Sequence, residues 1–297
     1  MRIPLPQALV EQARAFETGA SAPAEPRNAA TVVLTRAGEQ GPEVYLLRRQ
    51  ASMAFAGGMC VFPGGGVDQR DFDHTIAWAG PEPGQWAEKL GVDEHLARAL
   101  VCAAVRETFE ESGVLLAGRS ADSVIADTTG EDWEADRQAL EGRELAFTEF
   151  LDRRGLVLRT DLLGAWSAWL TPIFEPRRYR TWFFVATLPE GQLTRDVSSE
   201  SSSVTWLPVA EALAQVEASE ILMMPPTYLT CLEVAQYDGP SALIEGSRER
   251  AVELFMPEVV ATDDEFVLSR PAHVEALLDA REAVRRAGDG SSPGAGS

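Results

Sequence analysis

Basic residues are scarce in this chain, and lysine is almost absent. The 297 residues carry 26 Lys and Arg against 46 Asp and Glu, a formal net charge of −20, and Lys89 is the only lysine. We therefore expect no nucleic-acid partner, because such binding depends on Lys and Arg that neutralise phosphates. A phosphorylated small molecule would need metal ions or a local arginine cluster to offset the repulsion. The abundance of Arg over Lys indicates a high-GC bacterial coding sequence.

Cysteine and histidine are equally scarce, with three of each. Cys60, Cys102 and Cys231 are far apart in apolar surroundings, so they form neither a disulfide framework nor a metal-ligand spacing. No histidine stands with Ser or Cys in a pattern that indicates a catalytic triad. The sequence also lacks a Walker-type Gly-Lys-Ser and a dinucleotide-binding glycine pattern, which argues against kinases and dehydrogenases.

Long apolar runs are missing as well. No run approaches the ~18 residues that a membrane-spanning helix needs, and the N-terminus lacks the apolar block of a signal peptide. We therefore expect a soluble, cytoplasmic protein with no membrane partner. With 45% hydrophobic residues, the chain can bury one large core or a core with a smaller helical appendage.

Three glutamates at helical spacing are the most informative feature. Glu107, Glu110 and Glu111 lie at i, i+3 and i+4, so in a helix they project from one face. Asp93 is a good N-cap for this helix, and Gly113 ends it. Clustered carboxylate oxygens suit Mg²⁺ or Mn²⁺, whose shell is completed by water and substrate phosphates. The alternative is a solvated acidic face, the usual role of charge runs.

A glycine-rich turn, Phe62-Pro63-Gly64-Gly65-Gly66, lies upstream of the glutamates. Pro63 and the glycines end a short apolar strand and give the backbone freedom for close approach to a ligand. We name Gly64 and Gly65 as candidate substrate contacts. A purely structural turn is the alternative.

The run from Arg106 to Val114 resembles the second half of the Nudix hydrolase signature: Gly, five residues, Glu, seven residues, Arg-Glu-apolar-any-Glu-Glu-any-Gly-apolar. Thr108 stands at the first apolar place, and the upstream glycine turn also looks like the family. The resemblance implies an α/β/α sandwich around a mixed β-sheet. It further implies metal-dependent hydrolysis at phosphorus, with Mg²⁺ or Mn²⁺ held by Glu107, Glu110 and Glu111.

The first half of the signature is interrupted. Gly65 and Arg106 are 41 positions apart where the uninterrupted pattern has fourteen, so about 27 additional residues, a segment long enough to need structure of its own, separate turn from helix. Counting eight residues back from Arg106 puts Arg98 at the place of the first Glu. We therefore expect that acid to be missing.

Other catalytic candidates follow from the resemblance. Arg106 can pair with Glu110 one turn on and orient it, although an ordinary surface pair has the same spacing. In many Nudix enzymes a Glu from a later loop completes the metal site or acts as base, and Glu200 holds a similar place here. The alternative for Glu200 is a solvated loop acid, and Asp196 is its competitor.

Two segments resemble the acyl-coenzyme A diphosphatase branch: Trp169-Leu170-Thr171-Pro172 and Arg178 to Phe184. Gly58 to Gly65 is similar to part of a coenzyme A-hydrolysing signature, but Ala54 stands where its Arg is expected.

Arginines and aromatic residues supply the substrate-binding candidates. The cluster Arg177, Arg178 and Arg180 can grip phosphates, and Arg48 and Arg49 have the same potential; local salt bridges are the alternative. Aromatic residues could stack on an adenine or belong to the core. These are Trp169, Trp182 and Phe183.

The remaining pattern predicts the organisation of the chain. We expect an N-terminal helix and linker (1–27), a Nudix domain (28–219) with an insert at 68–93 and a helical excursion at 120–164, a C-terminal helical extension (220–286) and a disordered tail (287–297). Within the extension, 252–256 and 265–268 have the pattern of a hairpin pair.

The sequence thus predicts a Nudix pyrophosphohydrolase that splits the diphosphate of coenzyme A or an acyl-coenzyme A. Hydrolysis of another nucleoside diphosphate derivative, such as ADP-ribose or NADH, is the second hypothesis. A non-catalytic Nudix-fold binding or regulatory protein is the third. The oligomeric state stays open, a homodimer included.

Overall fold

The structure, a computed structural model, describes residues 7–19, 22–53, 56–72, 76–262 and 266–289. These residues form two compact units. The larger unit consists of residues 26–169 and 179–254. The smaller unit consists of residues 170–178 and the described residues before 26 and after 254.

Helices and strands are interspersed along the described chain. The helices are α1 (Gln7–Glu17), α2 (Pro83–Leu90), α3 (Glu94–Ser112), α4 (Glu131–Glu141), α5 (Phe147–Arg154), α6 (Val209–Glu217), α7 (Pro225–Val234), α8 (Pro240–Glu249) and α9 (Ala272–Asp289). The strands are β1 (Arg27–Gly38), β2 (Gly41–Arg49), β3 (Cys60–Val61), β4 (Gly64–Gly66), β5 (Trp78–Ala79), β6 (Ala117–Gly118), β7 (Val157–Arg159), β8 (Leu163–Leu170), β9 (Tyr179–Thr187), β10 (Ser201–Pro208), β11 (Leu254–Phe255), β12 (Val259–Ala261) and β13 (Phe266–Leu268).

The main sheet of the larger unit has the strand order β10-β2-β1-β9-β8. Strand β2 pairs antiparallel with both β1 and β10. Strands β1 and β9 run parallel, with Arg27 opposite Tyr179 and Thr35 opposite Thr187. The predicted mixed sheet is therefore confirmed. Strand β4, the glycine turn, pairs antiparallel with the beginning of β1, so the turn is fixed at one end of the central strand.

Helices cover both faces of this sheet. Helix α3 packs on one face, where Val32, Tyr45 and Phe184 join its apolar residues in one buried cluster. On the other face, α8 lies against β9 and α6 against β2 and β10. Successive side chains of a strand point to opposite faces, so each strand serves both layers. The predicted α/β fold around a mixed sheet is confirmed.

The segments outside the main sheet have structure of their own. A second sheet of the larger unit has the order β5-β7-β6 and joins residues 78–79 to the 117–159 region. Trp86 and Leu90 of α2 are buried in the same apolar cluster as α3. The segment predicted as an insert is therefore part of the core, although its residues 73–75 lie outside the described chain.

The C-terminal third departs from the sequence prediction in two places. Strand β13 pairs with β12, with Val259 opposite Leu268, and so residues 252–256 are not its hairpin partner. Helix α8 was not predicted, although Pro240 at its start is typical of a helix N-terminus. Helix α9 extends to Asp289, and residues 290–297 of the predicted tail lie outside the described chain, as do residues 1–6 of the predicted N-terminal helix and linker.

Two further expectations concern apolar runs and thiols. Among the described residues, no helix combines the length and hydropathy that crossing a bilayer requires. All three cysteines are buried free thiols.

Candidate active site

Helix α3 carries the three glutamates on a buried face. The Asp93 side chain accepts a hydrogen bond of 2.8 Å from Leu96 N–H at the start of the helix, and Gly113 ends it in the left-handed conformation (φ 75°). Glu110 and Glu111 are only 7% and 8% exposed, and the Glu107 side chain is 12% exposed. The alternative of a solvated acidic face is therefore wrong.

The glycine turn lies directly against these carboxylates. Gly64 N–H donates to Glu111 Oε2 at 2.7 Å. A Cβ added to Gly65 would lie 2.5 Å from the carboxylate atoms of Glu107, so only glycine fits at that place. Of the predicted site residues, the structure thus brings Gly64, Gly65, Glu107 and Glu111 together.

Arg106 ties the turn to the helix. Its Nη1 lies 2.7 Å from Glu107 Oε1 and 3.2 Å from Glu110 Oε1, and its Nη2 donates to Gly66 O at 2.9 Å. The expected pair between Arg106 and Glu110 is present, but it is a buried pair inside a network and not an isolated surface pair. The guanidinium therefore fixes two of the carboxylates and the turn at once.

Asp71 is a site residue that the sequence analysis missed. Its carboxylate, 1% exposed, accepts from Arg106 Nε and Nη2 at 3.0 Å each. Counting forward from Gly65, through five residues, leads to Asp71, so an acid does stand at the first-acid place of the motif. The expectation that this acid is missing was wrong. Arg98 lies further along the chain, with its guanidinium 4.9 Å from the Trp78 ring.

Glu200 lies in the loop before β10. Its Oε2 accepts from Arg49 Nη2 at 2.9 Å, and its carbonyl accepts from Gln50 N–H at 2.9 Å. Its negative charge contributes to raising the pKa of both Glu107 and Glu111, so it lies near them. The competitor Asp196 accepts from Ser201 Oγ at 3.3 Å.

Burial and mutual repulsion act on the carboxylates together. Burial, and after it the charge of Glu107, raises the pKa of Glu110 to about 7. The same two causes raise the pKa of Glu111 well above its ordinary range. Burial also raises the pKa of Glu107, against the lowering effect of Arg106. Charged carboxylates in this position therefore need a positive partner.

The donor set fits a hard divalent cation. Five carboxylates lie in this cluster, those of Asp71, Glu107, Glu110, Glu111 and Glu200. Among the described residues, their ion pairs involve two guanidinium groups, those of Arg106 and Arg49. Clustered carboxylate oxygens are typical Mg²⁺ ligands. Within the described ranges, no three acidic, His or Cys side chains already surround one point as a metal site would. Arg106 donates hydrogen bonds to carboxylate oxygens of Glu107 and Glu110, and these oxygens therefore face its guanidinium instead of a shared metal position.

Comparison with known families agrees with the geometry. A family model described as the NUDT19 Nudix domain matches residues 86–233. The chain belongs to the Nudix hydrolase superfamily. Within it, the match places the chain in the NUDT19 branch.

Individual relatives support the same Nudix branch. Acyl-coenzyme A diphosphatase NUDT19 of Gallus gallus is 26% identical over 274 aligned residues, covering 77% of this chain and 71% of the relative. The Homo sapiens protein of that name is 27% identical over 266 aligned residues, covering 77% and 70%. A NUDIX hydrolase structure from Alicyclobacillus acidocaldarius superposes with a TM-score of 0.62 at 23% identity, covering 74% of this chain and 96% of that chain, which supports the fold.

The arginine candidates are dispersed in this Nudix fold. Arg49, on β2, pairs with Glu200. Its neighbour Arg48 lines a cavity of about 270 Å³ together with Cys60 and residues of β10 and α6. Because successive side chains along β2 point to opposite faces of the sheet, this cavity lies on the face opposite to Arg49. In the smaller unit, Arg178 is 8% exposed and donates to Thr171 O at 3.2 Å and Ala24 O at 3.1 Å.

The remaining candidates are an arginine pair and three aromatic residues. Arg177 is exposed, and Arg180 is half-buried on β9. Trp182 is buried and donates from Nε1 to Leu90 O at 3.1 Å. Trp169 and Phe183 are also buried. Their burial identifies the aromatic residues as core and not as an exposed stacking surface.

Proposed function

We propose that this Nudix chain is a metal-dependent pyrophosphohydrolase that splits the diphosphate of coenzyme A or an acyl-coenzyme A. The observation that carries the proposal is the cluster of Glu107, Glu110 and Glu111 against the glycine turn, in which Glu110 and Glu111 are buried and the Glu107 side chain is 12% exposed. One guanidinium, that of Arg106, pairs with both Glu107 and Glu110, so the three carboxylates outnumber it. Burying such a cluster costs free energy unless a cation compensates it. A purely structural helix would gain nothing from it.

Each residue of the cluster has a role in the proposed reaction. Glu107, Glu110 and Glu111 would hold Mg²⁺ or Mn²⁺, which, when bound, neutralises the diphosphate and lowers the pKa of a bound water. Arg106 keeps Glu107 and Glu110 in place through its hydrogen bonds. Gly64 N–H orients Glu111.

Glu200 is our candidate for the general base. It would accept a proton from the attacking water as the water oxygen forms a bond to one phosphorus and the bond between that phosphorus and the bridging oxygen breaks. The bridging oxygen leaves with the other phosphoryl group, and the products are phosphopantetheine, or its acyl form, and 3′,5′-ADP. The ion pair between its carboxylate and Arg49 orients it. Its influence on the pKa of Glu107 and Glu111 favours it over Asp196.

The substrate choice is supported by relatives named acyl-coenzyme A diphosphatase. We extend the proposal to a 3′-phosphate contact by one of the predicted arginines, Arg48, Arg178 or Arg180. A cytoplasmic location is part of the same proposal, in keeping with three free thiols.

The test is turnover of coenzyme A, acetyl-coenzyme A, dephospho-coenzyme A, ADP-ribose and NADH with added Mg²⁺, with products identified by mass. We expect hydrolysis of the coenzyme A compounds that stops with EDTA, and a loss of at least about 100-fold in Glu110→Gln and Glu111→Gln. Glu131→Gln, an exposed glutamate of α4, is the matched control and should turn over at the parent rate.

Four outcomes would contradict parts of the proposal. Parent-rate hydrolysis in Glu110→Gln and Glu111→Gln would refute the metal ligands. Faster turnover of ADP-ribose or NADH would replace the substrate. Equal kcat/KM for coenzyme A and its dephospho form would refute the 3′-phosphate contact, and binding without turnover would indicate a regulatory Nudix protein.

A further inference from the structure

Helix α4, to which the sequence assigns no chemistry, touches the backbone of the glutamate helix. Arg137 of α4 is 2% exposed, and its Nη1 donates to the carbonyl oxygen of Glu110 at 2.7 Å. That carbonyl lies in the last turn of α3, where helix carbonyls lack an intrahelical partner. A side chain of α4 therefore fixes the turn that carries Glu110 and Glu111.

The same Arg137 nitrogen continues to a glutamate at the end of α4. Arg137 Nη1 donates to Glu141 Oε2 at 3.0 Å. The other oxygen of that carboxylate, Oε1, accepts from Ser199 N–H at 2.7 Å. Ser199 directly precedes Glu200. One chain of hydrogen bonds thus runs from the Glu110 carbonyl through Arg137 and Glu141 to the backbone beside Glu200.

The loop of Glu200 is held at its ends by other contacts. Arg195 N–H donates to Ser112 O at 2.9 Å, and Arg195 Nη1 lies 2.6 Å from Glu134 Oε2. At the far end, Gln50 N–H donates to the Glu200 carbonyl. Between these ends, Ser199 N–H donates to the Glu141 carboxylate, while Ser199 O accepts from Gln50 Nε2 at 2.7 Å and Glu200 N–H donates to Ser198 Oγ at 3.2 Å. The Glu141 carboxylate thus supplies the Ser199 amide with its acceptor and helps to set the path of the backbone just before Glu200.

We propose that Glu141 is a positioning residue that fixes Glu200 relative to Glu110 through the Ser199 N–H and Arg137. The inference rests on the proposed function for its catalytic consequence. Glu141 itself would not touch the substrate, and it would act only through Arg137 and the loop of Glu200. Hydrogen-bonded partners outside the site often set activity by orienting the groups within it.

Glu141→Ala removes the acceptor, and Glu141→Gln keeps an oxygen for Ser199. The control is Glu131→Ala, an exposed position on the same helix. Hydrogen exchange of the full chain should show the Ser199 amide exchanging about 10-fold faster or more in Glu141→Ala, and within about threefold of the parent in Glu141→Gln and Glu131→Ala. Unchanged exchange in Glu141→Ala overturns the proposal, whether or not the protein turns over any substrate.

Turnover gives the second arm. With Glu200 intact, Glu141→Ala should lower kcat by about 10-fold, while KM and the Mg²⁺ concentration required stay within about twofold of the parent values. In a Glu200→Gln background the same substitution should cost nothing further, because coupled residues are not additive. An equal additional loss in that background shows an effect that bypasses Glu200 and overturns the proposal. An inactive parent with faster Ser199 exchange in Glu141→Ala would refute the proposed function alone.

Discussion

Asp71 and Arg106 face each other through two hydrogen bonds of 3.0 Å, from Nε and Nη2 of the guanidinium to the two carboxylate oxygens. Both groups are nearly buried, with side chains 1% and 11% exposed. The pair closes the glycine turn onto the glutamate helix before the chain continues into β5 and α2. It is a paired and oriented salt bridge, whose loss leaves an arginine charge with fewer partners.

Asp71→Asn should lower the free energy of unfolding by about 2–3 kcal/mol. The loss should be smaller than for a buried charge left with no partner, because Arg106 still pairs with Glu107 and Glu110. Urea unfolding at pH 7 measures the change. Asp68→Asn is the matched control three residues away, since Asp68 pairs with the partly exposed Arg70 and should cost less than about 1 kcal/mol. An equal decrease in the free energy of unfolding in both variants would show that the Asp71–Arg106 salt bridge stabilises the fold no more than the Asp68–Arg70 pair does.

Gly65→Ala should reduce turnover with little change of fold. Its new Cβ would lie 2.5 Å from the Glu107 carboxylate and displace either the carboxylate or the turn. A displacement of that order costs about 100-fold in rate. Gly66→Ala is the control, because no atom lies within 4 Å of its added Cβ. Steady-state kinetics and circular dichroism of both variants test this, and a fully active Gly65→Ala would contradict the close packing.

Acid stability should depend on Glu134. Hydrogen bonds from Arg137, together with Arg195, lower its pKa from the ordinary 4.5 to about 2. A carboxyl with a lowered folded-state pKa stabilises the protein above pH 4.5, and this contribution is lost as the pH falls towards 2. Glu134→Gln should therefore cost about 1 kcal/mol at pH 7, a value reduced for solvent screening of a partly exposed pair.

The measurement for Glu134 is urea unfolding of parent and Glu134→Gln at several pH values. The difference between them should shrink as the pH falls from 4.5 towards 2. Glu131→Gln, in the first turn of the same helix, is the control. A difference that stays constant across this range would mean that the ion pairs of Glu134 contribute no pH-dependent stability.

Mg²⁺ should stabilise the folded chain even without substrate. Binding to the folded state alone raises the midpoint of thermal unfolding, by about 2–4 °C at tenfold excess over the dissociation constant. Glu111→Gln should remove most of this shift, whereas Glu131→Gln should keep it. Differential scanning fluorimetry with MgCl2, against NaCl of equal ionic strength, makes the comparison. A shift that survives in Glu111→Gln would place the ion elsewhere.

Local signals in the sequence predict the elements around the site well. Asp93 and Gly113 bound α3 because an N-cap side chain and a left-handed glycine act within a single turn of chain. The strands of the central sheet follow from β-branched and aromatic runs. The pairing of β12 with β13 was misassigned, because alternation in such short strands does not specify which neighbour they choose.

Long-range contacts explain what the sequence could not specify. The motif count gives Arg98 when taken backward from Arg106 and Asp71 when taken forward from Gly65, and only the salt bridge decides between them. Likewise, Arg137 and Glu141 look like ordinary residues of a polar helix. Their role follows from contacts with Glu110 and Ser199, 27 and 58 positions away.

The parallel pairing of β1 with β9 has a consequence for folding. The two central strands are separated by about 150 residues of chain, and pairings of such high sequence separation form slowly. During synthesis, the glycine turn and the glutamate helix leave the ribosome well before β9 exists. Until that strand is synthesised, the apolar face of α3 has an incomplete sheet to cover it, so we expect the nascent chain to be prone to aggregation at this stage.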